Sequence, residues 1–488
     1  MTSDHMDGRG DPRFESGDGH DGMDAPLRVS EGWGRAVRSV SRYVVPRSAD
    51  ELAEIFAAAS RAGLKVALHG GGNSYGDAAL NEGGLLVDTS VLRKILAWDS
   101  SRGTATVEPG VTIEDLWRRA IANGYWPAVV PGTQFATVAG CAAMNIHGKN
   151  NFRVGPFGDH VESFELVTPR GERLFCSRTE RAKLFHAAIS GFGQLGVFTK
   201  ITLRLKRVET GLVRVRPMRA DSLSECFDRF EENLDDADYL VGWIDCLKSG
   251  RDLGRGVLHR ADHVRAGEIP GLPLALDANG QSLPTHILGL PKSEAWRALR
   301  LLMNHSGMRF LNAAKFHAAA FPQADAPYLQ SLIAFSFLLD YLPGWKRAYG
   351  PGGLVQVQPF VPHAVARDVI REILERCQAR GLPSYLGVLK RHRVDPFLLT
   401  HALEGWSLAM DFRVTDGNRA ALRALADEIT DLTLAAGGKF YFAKDQMLRP
   451  SDPGRIFGAA PLAEFARIKR ELDPESLLQS QLARRLHL

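Results

Sequence analysis

A short apolar run from Lys65 to Leu68 stops at three successive glycines, Gly70, Gly71 and Gly72, and the polar turn Asn73-Ser74-Tyr75-Gly76-Asp77 follows. No other stretch restricts the fold of this chain as much. Glycine accepts positive φ and lets backbone approach a ligand with no Cβ between them. Successive N–H groups turned inward in such a turn form a nest for an anion such as a pyrophosphate. The segment is neither a G-x-G-x-x-G fingerprint opening a helix nor a G-x-x-x-x-G-K-[ST] loop. Many glycine-rich turns bind nothing, so the reading needs a second segment.

Residues 131–158, PGTQFATVAGCAAMNIHGKNNFRVGPFG, supply it. Small residues dominate, with Thr137, Ala139, Cys141 and Ala143 at alternate positions. Protein interiors are close-packed, so a run of small side chains leaves space that something else must fill. A large planar ligand would fill it. Two such loops, separated by strands and a helix, describe a site for a long, bent, phosphate-bearing ligand.

The remaining composition excludes several classes. The chain has 488 residues, 45% hydrophobic and 24% charged, the profile of a globular protein of more than one domain. With 60 basic against 56 acidic residues it lacks the electrostatic footprint of a nucleic-acid binder. Five scattered cysteines with no C-x-x-C pair argue against a disulfide framework or a zinc site, and for a reducing, cytoplasmic compartment; no metal site is expected. No run reaches the roughly 18–20 apolar residues needed to span a bilayer. The nearest, Tyr328 to Leu342, is interrupted by Gln330 and Asp340 and reads either as a buried helix or as a lipid-facing flap at a membrane surface. Residues 1–28, rich in Asp, Gly, His and Met, read as an unpacked leader without a signal-peptide core.

Periodicity predicts helices over 49–62 and 113–123, strands over 84–88 and 104–107, a hairpin of 161–168 with 172–177, and a one-sided strand over 198–208. From about residue 213 longer helices (221–234, 364–380, 418–435) alternate with strands (239–247, 385–389, 407–412), an α+β texture. The tail from 461 to 488 reads as helical and basic, broken at Leu472-Asp473-Pro474.

Here the motifs become specific. GWGR (32–35), GGNSYGDAALN (71–81), PGT (131–133), TVAG (137–140), IHGKN (146–150), WKRAYGPGGLVQVQ (345–358), GWSLAMDF (405–412) and YFAKD (441–445) keep their order along the chain. The pattern resembles the vanillyl-alcohol oxidase/p-cresol methylhydroxylase superfamily of flavoproteins and, within it, the decaprenylphosphoryl-β-D-ribose 2′-oxidase family. The resemblance implies an α+β, two-domain flavoprotein. A PCMH-type FAD-binding domain of two small α/β subdomains (29–211) would precede an α+β substrate or cap domain built on an antiparallel sheet (212–438). A C-terminal segment (439–488) would return to the FAD site.

It also implies site residues. His69, Gly70, Gly71, Gly72, Asn73, Ser74, Tyr75, Gly76, Asp77 and Ala78 would wrap the FAD pyrophosphate. Gly132, Thr137, Val138, Ala139, Gly140, Met144, Asn145, Ile146 and His147 would line the path from adenine to flavin, with Val197 and Tyr441 completing the contacts. Some relatives attach FAD through a histidine where this chain has Asn73; an amide is not a nucleophile, so dissociable FAD is expected. Oxidising a secondary alcohol at a flavin requires loss of the hydroxyl proton, and a fixed cation stabilises the charge that develops. Lys444 matches the family's lysine there and His147 a histidine beside flavin and substrate; either can take the proton.

Trp243, Gln356, Gln358, Lys390, Ser407 and Ala409 match substrate-pocket positions. Four residues depart from the family pattern: Ala409 replaces a cysteine, Ser407 an asparagine, His392 a phenylalanine and Ser336 an aromatic. These changes bear on the substrate more than on the reaction type. The implied function is FAD-dependent oxidation of polyprenyl-phosphoryl-β-D-ribose to its 2-keto form, with a separate NAD(P)H-dependent short-chain reductase completing epimerisation, at or near the inner membrane face. Alternatives are a soluble aldonolactone or alditol oxidase, or a non-catalytic FAD-binding module.

Overall fold

The computed structural model describes residues 25–283, 286–287, 290–319 and 326–488; of the leader expected over 1–28, residues 1–24 lie outside them. Order starts earlier than the sequence suggests, because Leu27–Glu31 is already a strand, antiparallel to Arg38–Val44. Its Leu27 and Val29 side chains are exposed, so main-chain pairing rather than a hydrophobic pattern holds this edge.

The first sheet runs in the order Leu27–Glu31, Arg38–Val44, Leu85–Asp88, Val66–His69. Leu85–Asp88 pairs in parallel with both neighbours and is buried along its length, as parallel strands covered on both faces are. Ser48 caps the helix Ala49–Arg61 by accepting from the Glu51 N–H. That helix buries Leu52, Ile55, Phe56 and Ala59 against Val66, Leu85 and Val87.

The second sheet is antiparallel: Ile95–Asp99, Thr104–Val107, Val197–Arg204, Val161–Val167, Arg173–Ser177. The expected hairpin forms, with Ser163 opposite Ser177. A capping box of Thr112 and Asp115 starts the helix Ile113–Ile121, which buries Leu116, Trp117 and Ala120. The small residues at 137–143 form the helix Val138–Ala143, capped by Thr137.

A third, antiparallel sheet has nine strands among the described residues. Its order is Tyr328–Ser331, Leu212–Ala220, Gly256–His263, Tyr239–Ile244, Leu386–His392, Gly405–Arg413, Pro359–Pro362, Lys439–Phe440, with Leu354–Val357 also on Gly405–Arg413. One face packs on helices: Trp406, fully buried, meets Phe227 and Phe230 of Leu223–Glu231 edge-on. The opposite face aligns His259 with Val241, Trp243 with Val388, and Val388 with Ala409. This face covers the site. The last strand, Lys439–Phe440, carries the sheet two residues past the expected boundary at 438.

Tyr328 to Leu342 is not one helix. It is the edge strand Tyr328–Ser331, the short helix Leu332–Ser336 and a 3-10 turn, Leu338–Asp340. Its end is tied to the second small-residue loop: Leu339 N–H donates to Gly132 O (3.1 Å), and Gln134 N–H donates to Asp340 Oδ2 (2.8 Å). Among the described residues no helix is long and apolar enough to cross a membrane.

Past Lys439–Phe440 the chain returns to the first sheet. Val66 N–H donates to Leu477 O and Gln479 N–H to Val66 O. Arg485 bonds Asp77 through both carboxylate oxygens (2.8 and 2.9 Å) and Asp445 (2.9 Å).

Candidate active site

All three parts of the chain meet at a cavity of about 560 Å³. One wall is the turn after Val66–His69, where Gly72 has φ +65°. A Cβ on Gly70 would stand 2.5 Å from Thr137 Oγ1, and one on Gly71 2.5 Å from Phe135 O. The two loops therefore touch, and only glycine permits it. Asn73 Nδ2 bridges them, donating to Gly71 O (2.9 Å) and Phe135 O (3.1 Å). The main-chain N–H groups of Gly70, Gly71, Gly72, Asn73 and Ser74 donate to no acceptor among the described residues. Buried N–H groups are nearly always paired, so a run of free donors on a cavity wall fits a bound diphosphate. The adjoining small residues (Gly132, Ala136, Ala139, Gly140) leave room for flat rings. The residues present thus fit FAD.

Most of the residues expected from the sequence reach the cavity: His69 to Tyr75, Ala78, Gly132, Thr137, Ala139, Gly140, Met144, Ile146, His147, Val197 and Tyr441, and also Trp243, Gln356, Gln358, Lys390, Ala409 and Lys444. Five do not. Gly76 is pressed on the returning tail, where a Cβ would lie 2.0 Å from Asp445 O. Asp77 is the buried partner of Arg485. Val138 points into the core from its helix, fully buried. Asn145, with positive φ (45°), spends its side chain on Asp395 and Gly158 N–H. Ser407 lies behind the wall, bonded to Gln358 Nε2 (3.1 Å) and His392 Nε2 (2.7 Å). Each sits within a motif whose neighbours face the ligand, and a motif does not say which of its residues turn away.

His147 is buried at the centre of an aromatic cluster, its ring 4.9 Å from that of His392, 5.5 Å from His401 and 5.1 Å from Tyr441. Its Nε2 stands 3.1 Å from Gln358 Nε2, and its Nδ1 is enclosed with no partner among the described residues. Burial above all, then the charges of Lys390, His392, His401 and Lys444, holds its pKa well below the ordinary histidine value, so the ring is neutral. Lys444 stacks its ammonium on the Tyr75 ring, 3.6 Å from the centroid. Burial lowers its pKa, the Asp411 carboxylate opposes that shift, and Lys390 adds to it.

Asp411 was not singled out from the sequence. It is fully buried, bonded to the Gln356 amide, with Oδ2 unpartnered among the described residues, and burial raises its pKa while Gln356 and Lys444 lower it. Continuing the period of two from Ser407 and Ala409 would have found it on the same sheet face. Lys149, His259 and Lys315 also line the cavity and were not singled out.

A diphosphate nest, a small-residue bed and a buried base under a covering sheet define the chain as an FAD-dependent oxidoreductase. Comparison with known proteins agrees. Residues 40–177 match the FAD binding domain family. Over 468 residues the chain is 29% identical to decaprenylphosphoryl-beta-D-ribose oxidase of Mycolicibacterium smegmatis, spanning 94% of this chain and 97% of that protein. Over 389 residues it is 31% identical to an uncharacterised protein in the mprA 5′ region of Streptomyces coelicolor, spanning 78% of this chain and all of that one. L-gulonolactone oxidase of Bos taurus is 28% identical over 162 residues, 33% of this chain and 36% of that enzyme. The chain belongs to the vanillyl-alcohol oxidase/p-cresol methylhydroxylase superfamily of FAD-binding oxidoreductases.

Proposed function

We propose that the chain oxidises a secondary alcohol of a lipid-linked sugar, polyprenyl-phosphoryl-β-D-ribose, to its 2-keto form. Similarity along nearly the whole chain to an enzyme named for such a substrate supports this reading. The observation that carries it is the placement of Lys444 with Gln356 and Gln358 on one cavity wall, under a sheet face that brings Lys390 beside them.

When bound, FAD supplies the two-electron acceptor for the hydride of the carbinol carbon. The protein's part is proton transfer and orientation. The hydroxyl proton goes to Lys444 Nζ, whose lowered pKa leaves a neutral amine available near neutral pH. His147 is the weaker candidate, because Gln358 occupies Nε2 and protein encloses Nδ1. Its neutral ring instead fixes the Gln358 amide, which with Gln356 is placed to bond sugar hydroxyls. Once protonated, Lys444 provides the positive charge that the reduced site requires, and Asp411 balances that ammonium from behind. Asn73 engages its amide within the loops and leaves FAD non-covalently held. The keto product calls for a separate NAD(P)H-dependent reductase to complete an epimerisation.

The isoprenoid tail needs an apolar route, since each methylene removed from water contributes roughly 0.8 kcal/mol. Leu338, 53% exposed, and Leu339, on the cavity wall, provide one at the end of Tyr328 to Leu342, consistent with a peripheral membrane contact. Anaerobic titration with polyprenyl-phosphoryl ribose, alditols and aldonolactones tests the assignment. Bleaching of the flavin by the lipid-linked sugar alone is expected; bleaching by a free alditol or lactone, with none by the lipid-linked sugar, would overturn it.

A further inference from the structure

The cavity lining contains four lysines (Lys149, Lys315, Lys390, Lys444) and no aspartate or glutamate. Among the described residues none of these lysines has a carboxylate within ion-pair distance; the nearest balancing group, Asp411, stands behind Lys444. Lys149 and Lys315 come from other segments than the glycine turn. Lys149 follows the second loop, its ammonium 4.2 Å from the Phe335 ring centroid and bonded to Phe335 O. Lys315 projects from the helix His305–Ala318 over Trp243, 4.4 Å from that ring. His259, on the strand next to Trp243, feels both: burial first, then Lys315 and Lys149, lowers its pKa to about 4, so it faces them uncharged. Burial first, then Lys390, lowers that of Lys149 to about 7.

Like charges gathered in a partly dry space repel. An anion among them removes that cost. The FAD diphosphate has its own N–H donors at Gly70–Ser74, free among the described residues.

We infer that Lys149, Lys315 and His259, over the Trp243 ring, form a phosphate subsite that holds the phosphate ester of the substrate. This rests on the proposed oxidation of a phosphorylated sugar and adds where its charge is held. A phosphodiester between sugar and isoprenoid offers unpaired oxygens to two ammonium groups, and a neutral His259 can donate one further hydrogen bond. Trp243, in the cavity lining beside Lys315, would pack against the first methylenes beyond the phosphate.

The test uses the FAD-loaded enzyme and the perturbation of its flavin spectrum. Affinities of farnesyl phosphate, farnesol, ribose 5-phosphate and inorganic phosphate are measured for wild type, Lys149→Met, Lys315→Met and Lys315→Arg, with FAD content and melting temperature as folding controls. Wild type is expected to bind farnesyl phosphate at least tenfold more tightly than farnesol. Each methionine variant loses most of that preference, while Lys315→Arg retains it. A merely structural role would weaken both ligands together and leave the ratio unchanged. Equal affinity for farnesyl phosphate and farnesol in wild type, or an unchanged ratio in both methionine variants, would overturn the subsite. Tight binding of ribose 5-phosphate that both methionine variants abolish supports the subsite while pointing to a free sugar phosphate as its ligand. If alditols bleach the flavin while the phosphate preference persists, the proposed reaction fails and the subsite stands.

Discussion

Lys444 and His147 share one wall, yet their surroundings give them different work. Burial lowers the pKa of both, but His147 has Nε2 against Gln358 and Nδ1 enclosed without a partner among the described residues, whereas Lys444 lines the cavity with its Nζ over the Tyr75 ring. Lys444→Ala should leave FAD bound and slow flavin reduction by about 10²–10⁴-fold, the usual worth of a positioned general base. His147→Gln acts only through Gln358 and should cost about tenfold, roughly 1.4 kcal/mol. Stopped-flow reduction under anaerobic conditions measures both; equal losses would return the base to His147. The pH profile carries a sign. A lysine whose folded pKa lies below its ordinary 10.5 becomes an unprotonated base as pH rises through that lowered value. The reduction rate should therefore climb with pH, reach a plateau below 10.5, and lose this limb in Lys444→Ala. A rate that falls over the same window would mean that the ammonium, not the amine, is the required form. Lys444 and His147 were visible in the sequence only through the motifs YFAKD and IHGKN. What the letters could not show is which ring nitrogen is enclosed, because Gln358 comes from the link between the strands Leu354–Val357 and Pro359–Pro362, far along the chain.

At the scale of elements, local signals served where a cap or an alternation decides the structure. The helix Ala49–Arg61 begins at its Ser48 cap, and Gly405–Arg413 alternates Ser407, Ala409 and Asp411 on the site side of the sheet, of which Ala409 lines the cavity, with helix-facing Trp406, Leu408 and Met410. They failed where distant main-chain contacts decide. The edge strand Leu27–Glu31 shows no buried alternation, and Tyr328 to Leu342 is bent by bonds to Gly132 and Gln134, some 200 residues away in sequence. The small residues at 137–143 carried no secondary-structure signal of their own, and the helix there starts at its Thr137 cap. The tail illustrates how such long-range contacts hold the site. Arg485 is the shared partner of Asp77 and Asp445, both nearly buried. Arg485→Met leaves two carboxylates uncompensated and should destabilise the protein by about 3 kcal/mol. Arg485→Lys should recover only part, because an ammonium cannot make the paired bonds to Asp77. Equilibrium denaturation gives the magnitude, and FAD release alongside it shows whether loosening the tail opens the cavity. Unchanged stability in Arg485→Met would mean that the tail is held by the Val66 contacts alone.

For the whole molecule, two glycine-lined loops, an antiparallel sheet above them and a returning C-terminus enclose one cavity that carries two sets of donors: the N–H groups of the glycine turn, free among the described residues, and lysines with no carboxylate partner among the described residues. The flavin-domain motifs announced the first set. The second was not legible, because only Lys149 falls within a quoted motif, IHGKN, while His259 and Lys315 lie in other segments that only folding brings to the same cavity. The most direct check on this architecture is titration of the FAD-free protein with FAD, followed by acid precipitation and absorbance of the supernatant. One FAD per chain, taken up with a shifted visible spectrum and fully released into the acid supernatant, is the expected result. A folded chain that stays colourless at saturating FAD, or flavin that remains with the precipitate, would contradict it.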